Sequence, residues 1–183
     1  MTHDEMLVFY STPGVFTGLD DFRNDLASLG GDAASIVGFV QGLLIHEAFG
    51  AANGVAHSPE RVEEKQIHAA GRMLTHAKRL DGAPLTQARP PAKRVVGVCR
   101  HFATLFAAVM RSKGVPCRAR CGFANYFTKG KHVDHWVAEY WNADRARWVL
   151  VDAQVDGPQR RSFGIDFDTL DTPRDRFLVG GDA

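Results

Sequence analysis

Cysteine is scarce in this chain, which limits how the fold can be stabilised. Only three cysteines, Cys99, Cys117 and Cys121, occur among the 183 residues. A small and odd number of cysteines argues against a disulfide framework and favours free thiols in a reducing compartment. We therefore expect a cytoplasmic protein whose stability comes from a hydrophobic core.

The chain also lacks a charge imbalance and a long apolar run. The formal net charge is +1, so we expect neither a nucleic-acid partner nor a membrane partner. The most apolar stretch, Ile36–Ile45, is interrupted by Gly38 and Gly42 and is too short to span a bilayer. The polar start Met1–Glu5 does not resemble a signal peptide. Glycine-rich phosphate-binding motifs are absent too, which argues against a nucleotide cofactor.

A helix is predicted to begin at Cys99. The apolar residues that follow recur at helical spacing and form one stripe: Phe102, Leu105, Phe106, Val109 and Met110. Gly114 and Pro116 should end this helix. A thiol at a helix N-terminus lies at the positive end of the helix dipole, which favours the thiolate. The N–H of Cys99 would have no partner within the first turn and could bind an oxyanion.

Two strands are predicted further along the chain, and each carries one residue typical of catalytic sites. His135 opens the run His135–Trp141, and Asp152 closes the run Trp148–Asp152. If Ala143-Asp144 is a two-residue loop, the two side chains lie directly opposite each other, with Cβ atoms ~5 Å apart. A loop longer by two residues would place them diagonally on the same sheet face, and a one-residue bulge would separate them.

Cys99, His135 and Asp152 therefore follow the order of a nucleophile, a base and an orienting carboxylate. Each has a structural alternative, because free cysteines are often buried, and histidines and strand-end aspartates often have structural roles. The agreement of order and position favours the catalytic interpretation. Asp134 should point to the opposite sheet face from His135, so we do not expect it to orient the imidazole.

A family resemblance rests on four segments: Gly97–Ala103, Gly114–Arg120, Asp134–Tyr140 and Arg147–Ala153. Together they resemble the bacterial transglutaminase-like domain of the papain-like cysteine protease superfamily, over roughly residues 93–156. The resemblance implies a papain-like α+β fold and a Cys-His-Asp triad, which falls on Cys99, His135 and Asp152. The chain differs from the animal enzymes by Arg100, where they carry tryptophan. It differs from many relatives by Ala153, where they carry proline.

The predicted organisation is a single domain over residues 1–183. N-terminal helices occupy residues 1–92, and the catalytic motifs 93–156 contain a nucleophile-bearing helix packed on an antiparallel sheet, an α+β architecture. The expected elements before Cys99 are a strand at 6–10 and helices at 19–29, around 36–44 and over 58–80. A further strand is expected over 115–127, with Cys117 and Cys121 on its buried face.

The function implied is that of a cysteine-dependent enzyme. It would transfer or hydrolyse the acyl group of a peptide or small amide through a thioester, and it would need neither cofactor nor metal. The alternative is a catalytically inactive transglutaminase-like module that only binds. No expectation about oligomeric state follows from the sequence.

For the other cysteines, histidines and basic residues, the sequence gives weaker evidence of a function. Cys99, Cys117, Cys121 and His132 could form a zinc site on paper, but the close cysteine pairs typical of such sites are missing. His101 should project to another helix face and be solvated. A basic run is either a solvated surface or an anchor for an acidic substrate group: Arg111, Lys113, Arg118, Arg120, Lys129 and Lys131.

Overall fold

The computed structural model describes residues 1–180. Its helices are α1 His3–Ser11, α2 Ala33–Leu43, α3 Pro59–Val62, α4 Ala70–Leu80, α5 Cys99–Ser112 and α6 Gly157–Phe163. Its strands are β1 Leu44–His46, β2 Val95–Gly97, β3 Cys117–Ala124, β4 Val133–Asn142, β5 Arg147–Val151 and β6 Phe177–Val179. The predicted α+β class is thereby confirmed.

Two separate sheets organise these elements. The larger sheet is antiparallel in the order β5-β4-β3-β6, and α5 packs on its two central strands. The smaller sheet is a parallel pair of β1 and β2, and β2 leads directly into α5. Since β2 is paired along its length, the backbone that enters α5 is fixed just before Cys99.

The main hydrophobic core lies between α5 and the larger sheet. Phe106 and Val109 of α5 are fully buried, together with Ala138 of β4 and Val151 of β5. Burying a side chain as large as that of Phe106 or Val109 stabilises the folded state by roughly 1.5–3 kcal/mol. This gain explains why the apolar stripe after Cys99 forms a helix that packs on the sheet.

A second, smaller core lies on the other face of the same sheet. It is built around Val137, Leu150, Phe177 and Tyr126. The close approach of β6 requires glycine at Gly122, since a Cβ there would lie 2.1 Å from the Leu178 carbonyl oxygen. The middle of β4 is therefore buried on both faces, and polar side chains that point into this second core are shielded from water.

The N-terminal elements differ from the predictions. Residues 6–10 belong to helix α1 and not to a strand, because Thr2 and Glu5 form a reciprocal capping box that starts a helix. The predicted helix over 19–29 is reduced to a 3-10 turn at Asp20–Phe22 followed by turns. Aspartates and asparagine in this stretch compete with the backbone for hydrogen bonds, which disfavours a continuous helix.

The predicted helix over 58–80 is interrupted. It consists of α3, a 3-10 turn at Glu63–Gln66 and, after a break, α4. The side chain of Glu64 turns inward and accepts a hydrogen bond from the Val96 N–H at 2.7 Å, which accounts for the departure from helical geometry. Helix α2 was predicted correctly, as was the end of α5, where Gly114 has a left-handed φ of 76°.

Strand β3 confirms the strand predicted within 115–127, but the predicted burial of Cys121 was wrong. Cys117 is buried against α5, but Cys121 is exposed. Burial changes sides along the strand, because its last residues, Gly122 and Ala124, face the second core. Among residues 1–180, no helix has the length and apolar character needed to cross a membrane.

Candidate active site

Cys99 is the first residue of α5 and is half-buried. Val98 precedes it in an extended conformation, and its N–H donates to Nδ1 of His101 at 3.0 Å. The His101 side chain therefore caps the N-terminus of α5. It is only 1% exposed, so the expectation of a solvated side chain was wrong. As the first helical residue, Cys99 presents an N–H that has no acceptor within the helix.

His135 and Asp152 meet in the second core. Nε2 of His135 lies 2.9 Å from Oδ2 of Asp152, and both side chains are buried. The loop between β4 and β5 has four residues, 143–146, so Ala138 pairs with Val151 and the directly opposed register was wrong. The two side chains lie on the diagonal that a loop longer by two residues produces.

The carboxylate of Asp152 is held by two further donors. The Tyr126 hydroxyl donates to Oδ2 at 2.7 Å, and the Gln154 N–H donates to Oδ1 at 3.0 Å. Burial alone would raise the pKa of Asp152, but His135, Tyr126 and Gln154 together hold that pKa below its usual value. Burial and the neighbouring Asp152 raise the pKa of Tyr126, so its hydroxyl remains a donor.

The pKa of the His135 imidazole is raised, which favours the protonated ring that would pair with a thiolate. Burial lowers its pKa, but the charge and hydrogen bond of Asp152, followed by the contact with Cys99, raise it to about 9. Because Nε2 is bound to Asp152, Nδ1 is the ring nitrogen left for the thiol. The structure thus brings the three predicted residues together, because His135 contacts both Asp152 and Cys99.

Aromatic rings enclose the imidazole. The centroid of Phe127 lies 4.8 Å from that of His135, and those of Tyr126 and Phe177 lie at 6.2 Å. All three contacts are edge-on, so the rings exclude water and fix the imidazole plane. This packing explains how a charged pair is kept in one geometry inside a core.

His46 borders the site and was not singled out from the sequence. It pairs with Gly97 across the small sheet, and its Nδ1 accepts a hydrogen bond from the Ala48 N–H at 3.2 Å. Burial, opposed by the charge of Glu47 and assisted by His135, lowers the pKa of His46 to about 4, so the ring is neutral near pH 7. With Nδ1 accepting, its proton lies on Nε2.

Tyr126 and His46 carry no local signal that identifies them as site residues. Tyr126 follows β3 in a loop, and only the curvature of the sheet brings its hydroxyl to Asp152. Asp134 is exposed, in agreement with the expectation that it does not orient His135. Over residues 1–180, no cluster of three or more His, Cys, Asp or Glu side chains is arranged to hold a metal ion.

Comparison with known proteins identifies the family. The sequence model of the transglutaminase-like superfamily matches residues 53–153, and the chain belongs to this superfamily. No curated protein sequence matches the chain.

A solved structure shares the fold. A protein from Cytophaga hutchinsonii, proposed to be a cysteine protease, superposes with a TM-score of 0.57 at 16% identity over 100% of this chain. The chain spans 50% of that protein's length. The periplasmic domain of TgpA from Pseudomonas aeruginosa is 24% identical over 60% of this chain and 44% of its own, but the TM-score of 0.28 is too low to support an argument.

Proposed function

We propose that the protein is a cysteine-dependent enzyme that cleaves an amide or peptide bond by acyl transfer through a thioester. The observation that carries the proposal is the 2.9 Å contact between His135 and Asp152, buried beside a thiol at a helix start. A binding module would have no use for a buried and electrostatically tuned imidazole.

The proposed reaction begins with the Cys99 thiolate paired with a His135 imidazolium. The thiolate attacks the amide carbonyl carbon, and the carbonyl oxygen becomes an oxyanion that the Cys99 N–H stabilises. His135 then donates its proton to the leaving amine, the carbon–nitrogen bond breaks, and an acyl thioester remains on Cys99. Water or a second amine, deprotonated by His135, attacks the thioester carbonyl carbon; the carbon–sulfur bond breaks, the acyl product leaves, and the Cys99 thiolate and His135 imidazolium are restored.

Asp152 acts through the imidazole in this scheme. Its hydrogen bond to Nε2 fixes the ring so that Nδ1 meets the sulfur, and its charge favours the imidazolium. The geometry suits hydrolysis and transfer equally, and the acceptor sets the outcome. A peptide or small amide substrate is proposed because a thiol beside a buried His-Asp pair suits attack on an acyl carbon.

Thiol reactivity tests the proposal with two internal references. Limiting iodoacetamide at pH 6, followed by mass-spectrometric mapping, should modify half-buried Cys99 at least tenfold faster than exposed Cys121. Cys117 should remain unmodified, because burial raises its pKa to about 12. Comparable rates at Cys99 and Cys121 would indicate an ordinary thiol and favour the inactive binding module.

Turnover gives the second test. A panel of peptide amides, incubated with and without a primary amine, should release ammonia or amine from at least one substrate. Cys99→Ala should abolish this release while leaving the unfolding midpoint nearly unchanged, since it is a small truncation at a helix start. Release that persists in Cys99→Ala would contradict the proposed nucleophile.

A further inference from the structure

His46 lies beside the start of α5, on the neighbouring strand. Strands β1 and β2 are parallel, and the register pairs His46 with Gly97, two residues before Cys99. Paired residues of adjacent strands lie about 5 Å apart, so the backbone that carries His46 runs alongside the backbone that enters the helix. The proposed mechanism gives the oxyanion one donor, the Cys99 N–H, and a second donor would have to reach the same place.

The neighbours of the His46 ring lie on several sides of Cys99. The ring stacks on Phe102, one turn further along α5, with centroids 6.5 Å apart and planes inclined by 24°. The charges of His135 and Asp152 both act on the His46 ring, which places it within electrostatic reach of this pair. His46 therefore borders the strand before the nucleophile, the helix after it and the base that serves it.

The proton of the His46 ring lies on Nε2. Nδ1 accepts a hydrogen bond from the Ala48 N–H at 3.2 Å, so the remaining ring nitrogen carries the hydrogen. Burial, against the charge of Glu47, lowers the pKa of His46 to about 4 and keeps the ring neutral near pH 7. A neutral imidazole with a fixed tautomer can stabilise a developing negative charge without giving up its own proton.

We propose that Nε2 of His46 is the second donor to the oxyanion of the acyl-transfer reaction, together with the Cys99 N–H. This inference rests on the proposed function. As the Cys99 sulfur bonds to the carbonyl carbon, the electron pair of the carbon–oxygen double bond moves onto oxygen, and the two N–H groups stabilise the charge there. When the intermediate collapses, the double bond re-forms, the leaving group departs with the proton of His135, and both donors are released unchanged.

Two substitutions of His46 separate this role from a local structural one. His46→Asn places an oxygen near the position of Nδ1, so it keeps the acceptor for the Ala48 N–H but has no N–H at the position of Nε2. His46→Gln does the opposite, because its amide N–H reaches the position of Nε2 and the acceptor is lost. An oxyanion donor predicts that glutamine is the better replacement, whereas a purely structural histidine predicts that asparagine is.

Two reagents for Cys99 give the readout. p-Nitrophenyl acetate acetylates a thiol through an oxyanion, whereas iodoacetamide alkylates it by displacing iodide and forms no oxyanion. His46→Asn should slow acetylation of Cys99 at least about tenfold and change its alkylation less than about twofold, and His46→Gln should lose no more than about threefold in acetylation. The exposed His132→Asn is the matched control and should leave both rates unchanged.

The outcomes distinguish this inference from the proposed function on which it rests. Slow alkylation of Cys99 in the unaltered protein would contradict both. If Cys99 alkylation is fast, three results would overturn the role of His46 alone: full acetylation in His46→Asn, an equal loss of acetylation and alkylation in that variant, or a larger loss of acetylation in His46→Gln.

A measurement on the unaltered protein decides if the His46 variants do not fold. When ¹³C-labelled acetaldehyde adds to the Cys99 thiol, the sulfur bonds to the carbonyl carbon, and the oxygen, which takes up the thiol proton, lies where the oxyanion would form. The Nε2–H proton of His46, assigned in ¹⁵N-histidine-labelled protein through its contact with the Phe102 ring, should then shift downfield. A ¹³C signal of the adduct without this shift would overturn the proposal.

Discussion

Asp152 is a fully buried carboxylate that stays charged because several donors surround it. Three donors, from His135, Tyr126 and Gln154, converge on its two oxygens, and the side chain is fully buried. Unpaired, a carboxylate at this depth would be protonated. The donors keep it charged, and that charge in turn raises the pKa of His135.

Tyr126→Phe should destabilise the protein and weaken the candidate site together. It removes one hydrogen bond to a buried carboxylate, which costs about 1.5–3 kcal/mol of unfolding free energy. Tyr140→Phe is the matched control, because the Tyr140 ring packs against Phe106 and is not among the donors to Asp152. Urea unfolding at pH 7 measures both variants. Equal losses would mean that the Tyr126 hydroxyl contributes nothing beyond packing.

The two aspartates near His135 should differ strongly in their effect on the Cys99 thiol. Asp152→Asn removes the charge that raises the pKa of His135, so Cys99 alkylation at pH 6 should slow by at least about tenfold. Asp134→Asn, on an exposed side chain, should change that rate by less than about twofold. A similar loss in both variants would mean that Asp152 does not act through His135.

Sequence reasoning found the residues with a distinct chemical signature and missed those without one. Cys99 is the first residue of α5 and His135 is the third residue of β4, and the pattern of apolar neighbours locates both. Tyr126 and His46 reach the site through the curvature of the larger sheet and the pairing of β1 with β2. Neither feature has a local sequence signal, because β1 and β2 are three residues each and lie far apart in the chain.

At the scale of elements, one side chain joins three segments around the entrance to α5. Glu64 accepts from the Val96 N–H of β2, and its other oxygen contacts Arg61 at 2.5 Å and His76 of α4 at 3.0 Å. The strand that leads into Cys99 is therefore fastened to α3 and α4 through a single carboxylate that is 7% exposed.

Glu64→Gln should therefore lower the unfolding free energy by about 1–3 kcal/mol, since the amide keeps one acceptor but loses the charge that pairs with Arg61 and His76. Glu63→Gln is the neighbouring control, on an exposed side chain, and should change it by less than about 0.5 kcal/mol. Thermal or denaturant unfolding measures both. If Glu64→Gln leaves the unfolding free energy unchanged, the charged contacts of Glu64 are not needed to hold β2 in place.

Element boundaries could be predicted where the apolar periodicity extends over several turns. The predictions were wrong where a capping box or an inward-pointing polar side chain determined the local structure. The stripe after Cys99 specified α5 because it repeats over several turns. Residues 6–10 are too few for periodicity to distinguish helix from strand, and the capping box of Thr2 and Glu5 decided for helix. The break after Gln66 follows from the Glu64 contact with β2, which no pattern within residues 58–80 could reveal.

At the scale of the whole molecule, the buried His135 and the half-buried His46 set opposite pH limits on stability. The pKa of His46 falls to about 4, so the unfolded chain binds a proton below about 6.5 that the folded chain does not. Stability should therefore decrease as the pH falls from about 6.5 to 4. The pKa of His135 rises to about 9, so its contribution is complete below about 6.5 and is lost as the pH rises through 9.

Replacing His46 or His135 should remove the pH dependence of stability that the replaced histidine causes. His46→Asn keeps an acceptor for the Ala48 N–H and should flatten the acid side, where the native slope can reach about 1.4 kcal/mol per pH unit for this group. His135→Asn should lower stability near neutral pH and flatten the alkaline side between about 6.5 and 9. Urea unfolding at intervals of pH from 4 to 9 measures both profiles. If His46→Asn keeps the native acid slope, other groups carry it, and His46 is protonated in the folded protein at a higher pH than its burial implies.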